Sequence, residues 1–236
     1  MNPGKYFFKV LILIISAFLF SSCISINRNI TLNKDGSGNE VITVKFEQTF
    51  YQMVGSMTSF MDSSRVKGFM DSLYSDEIFI NETRQKYDSV PGIKLLELYS
   101  HKNDDQSNSF IIKYEFDSVQ KIGSSILSKF DESDEEGSAA EITFRKENDN
   151  IIFKYDYAKE PVRNSVSETD SLNEQMSKGM SGFFKESNIV FEIQFPYDVI
   201  SSNADSTVNN KLIWKYSLSE SMSSGNMKLE AVMKDY

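Results

Sequence analysis

Residues 24–46, ISINRNITLNKDGSGNEVITVKF, contain two extended runs on either side of Asn33-Lys34-Asp35-Gly36-Ser37-Gly38-Asn39. Within the linking segment, Asp35-Gly36 supplies the positive φ that a tight chain reversal requires. On its far side Ile42, Val44 and Phe46 alternate with polar residues, so every second side chain falls on one face of a strand. The first run, Ile24–Leu32, alternates less strictly but is long enough to pair with it. This is the clearest hairpin in the chain, and it makes antiparallel sheet the starting expectation.

The same period of two recurs at Phe110/Ile112/Tyr114/Phe116, Phe153/Tyr155/Tyr157, Ile189/Phe191/Ile193/Phe195, Leu212/Trp214/Tyr216/Leu218 and Met227/Leu229/Ala231/Met233. Ile93–His101 and Ile142–Phe144 are weaker candidates. Between these runs the apolar spacing changes to steps of three and four, at Phe50/Met53/Val54/Met57/Met61, Val66/Phe69/Met70/Leu73, Val119/Ile122/Ile126/Phe130 and Leu172/Met176/Met180/Phe183/Phe184. Asp117 can cap the third of these helices, and Ser171 with Glu174 forms a capping box for the fourth. The expected fold class is α+β: a largely antiparallel sheet of about nine strands in hairpin-plus-helix units, with about four amphipathic helices covering one face. The units recur in kind without repeating in sequence. Asp131–Ala139 and Glu160–Ser167 lack periodicity and read as exposed loops too short to separate two domains.

The first 22 residues read as an export signal. Lys5 and Lys9 precede an apolar run from Val10 to Phe20, and Ser21-Ser22 stand before Cys23. That run is shorter than the about 20 residues a helix needs to cross a bilayer. Small residues followed by cysteine resemble the lipobox of bacterial lipoproteins, which implies removal of residues 1–22 and lipidation of Cys23. Cys23 is the one cysteine of the chain, so no intramolecular disulfide can form. The residues after it, Ile24-Ser25-Ile26-Asn27-Arg28, carry neither an aspartate resembling an inner-membrane retention signal nor an acidic run resembling a surface-export signal. The expected location is therefore the inner leaflet of the outer membrane, facing the periplasm. Strand-like sequence starts at Ile24, which leaves no flexible tether between lipid and domain.

The net charge is −9, and loss of the two leader lysines makes it two units more negative. Such a balance argues against nucleic acid as a partner. Residues 23–236 suffice for one sizeable core.

Residues able to carry chemistry are scarce. With one histidine, His101, and one cysteine, the chain builds neither a cysteine–histidine dyad nor a multi-histidine metal site. His101 ends a candidate strand beside Lys102-Asn103-Asp104-Asp105 and reads as a surface residue; there is no G-x-S-x-G elbow and no phosphate-binding glycine loop. The acidic stretch Asp131–Gly137 places Glu136 where a calcium loop of the EF-hand kind needs glycine, so it reads as a hydrated loop. No catalytic residue, metal or cofactor is implied, and the chain is not expected to be an enzyme.

Methionine offers more. Met53, Met57 and Met61 share one helical face and Met176 and Met180 another, each with phenylalanine nearby. Unbranched, polarizable side chains adapt to irregular apolar partners, so these faces are candidates for lining an apolar ligand; they equally suit ordinary core packing. Asp-Ser before an apolar residue, at Asp71-Ser72-Leu73, Asp88-Ser89-Val90, Asp117-Ser118-Val119 and Asp170-Ser171-Leu172, resembles an O-glycosylation acceptor motif of exported Bacteroidota proteins. Helix starts would explain the same pairs.

Two further segments carry a family resemblance. Ile30–Gly38 running into Val41–Phe46, and Phe195-Pro196-Tyr197-Asp198-Val199-Ile200-Ser201-Ser202-Asn203-Ala204 followed by Leu212-Ile213-Trp214, are similar to the LppM-like domain family of bacterial lipoproteins. The resemblance implies an α+β domain and an association with lipid or glycolipid binding, and it transfers no catalytic residue. Two functions follow as expectations: a lipid or hydrophobic-ligand-binding module attached to membrane lipid through its anchor, or an envelope lipoprotein with a filled core that binds a protein partner on its outer faces.

Overall fold

A computed structural model describes residues 23–57, 76–124, 140–157, 184, 186–224 and 226–235. Among these residues eleven strands form two sheets: β1 (Ile24–Leu32), β2 (Gly38–Phe46), β3 (Ile93–Lys102), β4 (Asn108–Phe116), β5 (Glu141–Glu147), β6 (Asn150–Tyr157), β7 (Asn188–Gln194), β8 (Asp198–Ser202), β9 (Ser206–Val208), β10 (Lys211–Ser217) and β11 (Met227–Lys234). The larger sheet runs β3-β4-β2-β1-β7-β10-β9 and the smaller β5-β6-β11-β8. Among the described residues every pairing is antiparallel except β1 with β7.

The expected hairpin is present as β1 and β2, in register from Ile24 opposite Phe46 to Leu32 opposite Gly38. Burial alternates along both strands, which places Ile24, Ile26, Ile30, Ile42 and Val44 on one inward face. Ile189, Phe191 and Ile193 of β7 and Leu212 and Trp214 of β10 continue that face across the sheet.

The cover over this face corrects the expected architecture. The protein is mostly β, and four amphipathic helices do not cover its sheet. Among the described residues there are three α-helices, α1 (Gln48–Met57), α2 (Asp76–Asp88) and the short α3 (Leu218–Ser224). Only α1 answers to a helix read from the sequence. The third expected helix begins as a 3-10 segment, Val119–Ser124, whose buried Val119 and Ile122 are three apart, the spacing that stacks in a 3-10 helix. The second and fourth expected helices, around Val66–Leu73 and Leu172–Phe184, lie outside the described residues apart from Phe184.

The smaller sheet packs over the β1-β7-β10 half of the larger one, with Tyr155 against Phe191 (ring centroids 5.5 Å apart) and Phe153 against Phe195 (5.2 Å). Helices α1 and α2 cover the β2-β4-β3 half through Phe50 on Phe46 (5.0 Å), Phe79 on Phe110 (4.3 Å) and Tyr87 on Tyr114 (5.0 Å). Period-two patterning reports that one face of a strand is buried. It does not report whether helix or sheet buries it. All of these groups join one apolar core.

The structure also gives the hairpin recurrence a physical form. In the β1–β2 turn, Asn33 N donates to Ser37 O (2.8 Å), Gly36 N to Asn33 O (3.1 Å) and Ser37 N to Asp35 Oδ1 (3.0 Å). The β3–β4 turn repeats each bond: Asn103 N to Ser107 O (2.9 Å), Gln106 N to Asn103 O (3.0 Å) and Ser107 N to Asp105 Oδ1 (3.0 Å). Both turns share the pattern Asn-x-Asp-x-Ser, with positive φ at Gly36 (83°) and Gln106 (65°). Because β2 and β4 are antiparallel, the two turns sit at opposite ends of the sheet, the second at the end where Cys23 lies.

Candidate functional site

Cys23 is half-buried and packs against the core, and β1 starts at the next residue. Its carbonyl accepts from Glu47 N (2.9 Å), and Thr49 Oγ1 of α1 donates to its sulfur (3.8 Å). Ile24 N donates to Ser187 Oγ (3.1 Å), so the chain is held from both sides directly after the cysteine. The strand read from the sequence as starting at Ile24 does start there.

Of the candidate apolar-lining residues, Met53 and Met57 belong to α1, the helix whose first turn touches Cys23. Met61, Met176 and Met180 lie outside the described residues, so the two methionine faces are not brought together among the residues described. His101 is exposed on β3. The acidic loop Asp131–Gly137 is outside the described residues, as are Asp71-Ser72 and Asp170-Ser171. Asp88-Ser89 is exposed at the end of α2, and Asp117-Ser118 leads into the 3-10 segment.

Sequence reading passed over a charged cluster at the centre of the fold. Arg28 of β1 and Glu40 of β2 occupy diagonal positions on the inward face and are 3% and 0% exposed. Arg28 Nε donates to Glu40 Oε1 (2.5 Å) and Nη2 to Glu40 Oε2 (3.0 Å), the two-pronged geometry that suits guanidinium and carboxylate. Nη2 also donates to the carbonyl of Ile122 (2.8 Å), and the guanidinium carbon lies 5.0 Å from the centroid of Phe191. Tyr114 of β4 donates its hydroxyl to Glu40 Oε2. The cluster therefore ties β1, β2, β4, the 3-10 segment and the ring of Phe191 on β7 together.

Burial alone would push the Arg28 guanidinium down, but the charge and hydrogen bonds of Glu40 outweigh it and hold Arg28 well above the usual arginine range. Burial pushes the Tyr114 hydroxyl well up, and the negative charge of Glu40 adds to this. Burial likewise raises Tyr155, against the opposing charge of Arg28. A buried, paired charge of this kind ties the strands that carry it together.

Two shallow, open hollows among the described residues lie at the two ends of the β3–β4 hairpin. One, of about 440 Å3, is lined by Lys45, His101, Asn103, Asp104, Asp105 and Ser109; the other, of about 370 Å3, by Gly92, Ile93, Lys94, Glu115, Phe116 and Asp117. In the first, Lys45 Nζ contacts both Glu47 (2.8 Å) and Asp105 (2.9 Å). The Ser107 hydroxyl, then Lys45, hold the Asp105 carboxyl far below the usual carboxylate range, and the hydroxyl of Ser37 acts the same way on Asp35. No group of three or more histidine, cysteine, aspartate or glutamate side chains suited to a metal ion occurs among the described residues. Nor is any helix there long and apolar enough to cross a membrane.

No protein-family profile and no curated protein matches the sequence. Among solved structures, the chain is similar to the folded domain of Mycobacterium tuberculosis LppM, determined by NMR. Identity is 9% over 90% of each chain and the TM-score is 0.42. It is more remotely similar to the mu homology domain of Danio rerio Fcho1 with a bound Eps15 peptide, at 10% identity over 91% of this chain and 79% of that one, with a TM-score of 0.21. The likeness to the LppM domain is one of distant fold only.

Proposed function

We propose that the protein is a lipid-anchored, non-catalytic domain of the cell envelope, held at the periplasmic face of the outer membrane through Cys23 and acting by binding a protein neighbour on its outer surfaces. The observation that carries this reading is the seat of Cys23, fixed by Glu47, Thr49 and the start of β1. A lipid on that sulfur holds one end of the larger sheet against the bilayer. The opposite end, marked by the Asn33–Ser37 turn, then stands about 30 Å away, nine residues of strand at ~3.3 Å each. A protein partner fits better than a sequestered ligand because Arg28, Glu40 and Tyr114 are buried and occupy the covered face of the larger sheet.

A lipid or hydrophobic-ligand-binding role is the second reading. It is favoured by the position of α1: the helix that bears Met53 and Met57 starts beside the cysteine sulfur. Replacement of Cys23 by serine in the producing cell, with palmitate labelling and membrane fractionation, tests the anchor. The wild-type chain is labelled and sediments with membranes, whereas Cys23→Ser is unlabelled and uncleaved. An unlabelled wild-type chain would sink the proposal. Lipid that copurifies with the delipidated domain, seen by native mass spectrometry, would favour the second reading over the first.

A further inference from the structure

The β3–β4 turn lies at the end of the larger sheet that bears Cys23. Ile24 pairs with Phe46 and Phe46 with Asn108, so Ser107 stands level with Cys23, and Asp104 to Gln106 reach beyond that level. Two chains of contacts tie the turn to the cysteine. Glu47 donates its N–H to the Cys23 carbonyl (2.9 Å), its carboxylate contacts Lys45 Nζ (2.8 Å), and Lys45 Nζ contacts Asp105 (2.9 Å). Gln48 Nε2 donates to Gln106 Oε1 (3.1 Å), one residue before the Thr49 hydroxyl that donates to the cysteine sulfur.

The hollow of about 440 Å3 opens beside this turn. Lys45, Ser109 and His101 lie opposite one another on β2, β4 and β3, and Asn103, Asp104 and Asp105 complete the lining. With strands about 5 Å apart, the lining begins about 5 Å from β1 and ends about 15 Å from it. His101 and Asp104 are exposed, and Lys45, engaged by Glu47 and Asp105, keeps the third of its ammonium donors.

We propose that this hollow takes the headgroup of a zwitterionic phospholipid from the leaflet that holds the lipid on Cys23, with the ammonium on Asp104 and the phosphodiester on His101 and Lys45. The inference rests on the anchored reading, which supplies the position of the bilayer. The polar layer on each side of a hydrocarbon core is about 5–7 Å thick. A cysteine whose acyl chains enter that core sits in this layer, and a turn level with the cysteine stands among the headgroups. Two basic and two acidic side chains line the hollow, a set that complements a ligand carrying both signs better than a free anion or cation. The chain's net charge of −9 opposes enrichment of anionic lipid around it.

The full-length chain, lipidated by the producing cell and reconstituted in vesicles of equal phosphatidylethanolamine and phosphatidylcholine, tests the proposal. Lipidation blocks Cys23, so Lys102→Cys and Lys34→Cys each give one thiol for a nitroxide, the first beside the hollow and the second in the distal turn. The Lys102→Cys label should be shielded from a water-soluble nickel chelate that reaches the Lys34→Cys label. It should also broaden the phosphorus resonance of phosphatidylethanolamine about threefold more than that of phosphatidylcholine, the scale of one exposed ion pair. Asp104→Asn with His101→Gln, shown by circular dichroism to be folded, should abolish the difference between the lipids and leave the label shielded. Equal access of the chelate to both labels would overturn the proposal. So would equal broadening of the two lipids with Asp104 and His101 intact, or a preference that persists in the double variant. Intact mass reads the lipid on Cys23 separately: a lipidated chain that fails these tests removes the headgroup site alone, and an unlipidated chain removes the anchored reading and the site with it.

Discussion

Arg28 and Glu40 face each other through two hydrogen bonds, of 2.5 and 3.0 Å, in the middle of an otherwise apolar sheet face. Neither is a surface charge that drifted inward. Arg28 also donates to the Ile122 carbonyl, and Glu40 also accepts from the Tyr114 hydroxyl.

Removing one partner leaves an uncompensated buried charge. Arg28→Met and Glu40→Leu, made singly, should each lower stability by about 3–5 kcal/mol in urea unfolding. The double variant should recover most of that loss, since replacing a buried pair by apolar residues is often neutral. If the double variant were as unstable as the sum of the singles, the two residues would be acting independently.

Alkaline pH should expose the cluster in another way. Tyr114 and Tyr155 have folded-state values raised above the ordinary tyrosine value of 10.0. The folded protein then binds more protons than the unfolded chain above that pH, so their contribution is complete below about pH 10 and declines as pH rises further. Arg28, also raised, keeps its charge throughout this range. Absorbance titration near 295 nm should show exposed tyrosines ionising first, followed by a sharp step that coincides with loss of circular dichroism.

The two Asn-x-Asp-x-Ser turns invite reciprocal substitutions. Gln106 holds a left-handed conformation that Gly36 holds in the equivalent turn at no steric cost. Gln106→Gly should raise stability by about 0.5–1 kcal/mol. Gly36→Ala should lower it by about 1–2 kcal/mol, because its φ is 83° and a Cβ there would also lie 3.3 Å from Phe144. Thermal melts of the two variants should move in opposite directions.

Asn203 joins the two sheets. Its Oδ1 accepts from Trp214 Nε1 (2.7 Å) and Glu230 N (2.8 Å), and its Nδ2 donates to Lys228 O (2.9 Å). Asn203→Ala should cost about 1–3 kcal/mol by leaving the buried indole N–H without its acceptor. Trp214 is the only tryptophan, so its emission reports the change directly. Unchanged emission and stability would show that the bond contributes nothing.

Much of the strand content was legible because alternation is a local signal. Ile42/Val44/Phe46, Phe110 to Phe116 and Phe153 to Tyr157 all lie on strands with the expected face inward. The charged cluster was not, although its trace is present. Extending the Ile42/Val44/Phe46 series back by two places Glu40 on the buried face, and Arg28 falls between Ile26 and Ile30 in the same way. A charge in such a series looks like a break in the pattern until its partners are known, and the Ile122 carbonyl that completes this one is 94 residues away. Helix α2 escaped notice for a related reason: among the side chains described, DEIFINETRQKYD buries Thr83 and Tyr87, with Phe79 packed beside them, and its other positions are mainly polar. The smaller sheet could not be told from a helical cover, since either satisfies the same alternation.

The parallel pairing of β1 with β7 bears on how the molecule comes to exist. β1 lies inside the sheet, and its neighbour on one side is β7, just after Ser187, whose hydroxyl receives the amide of Ile24 from 163 residues away. Contacts so distant in sequence form slowly, because loop closure must come before any gain from pairing. Until β7 arrives, half of β1 presents an open template to other chains. A lipid on Cys23 would confine that waiting strand to the bilayer surface, so the membrane would serve as the place where the sheet is completed as well as the place where the finished domain resides.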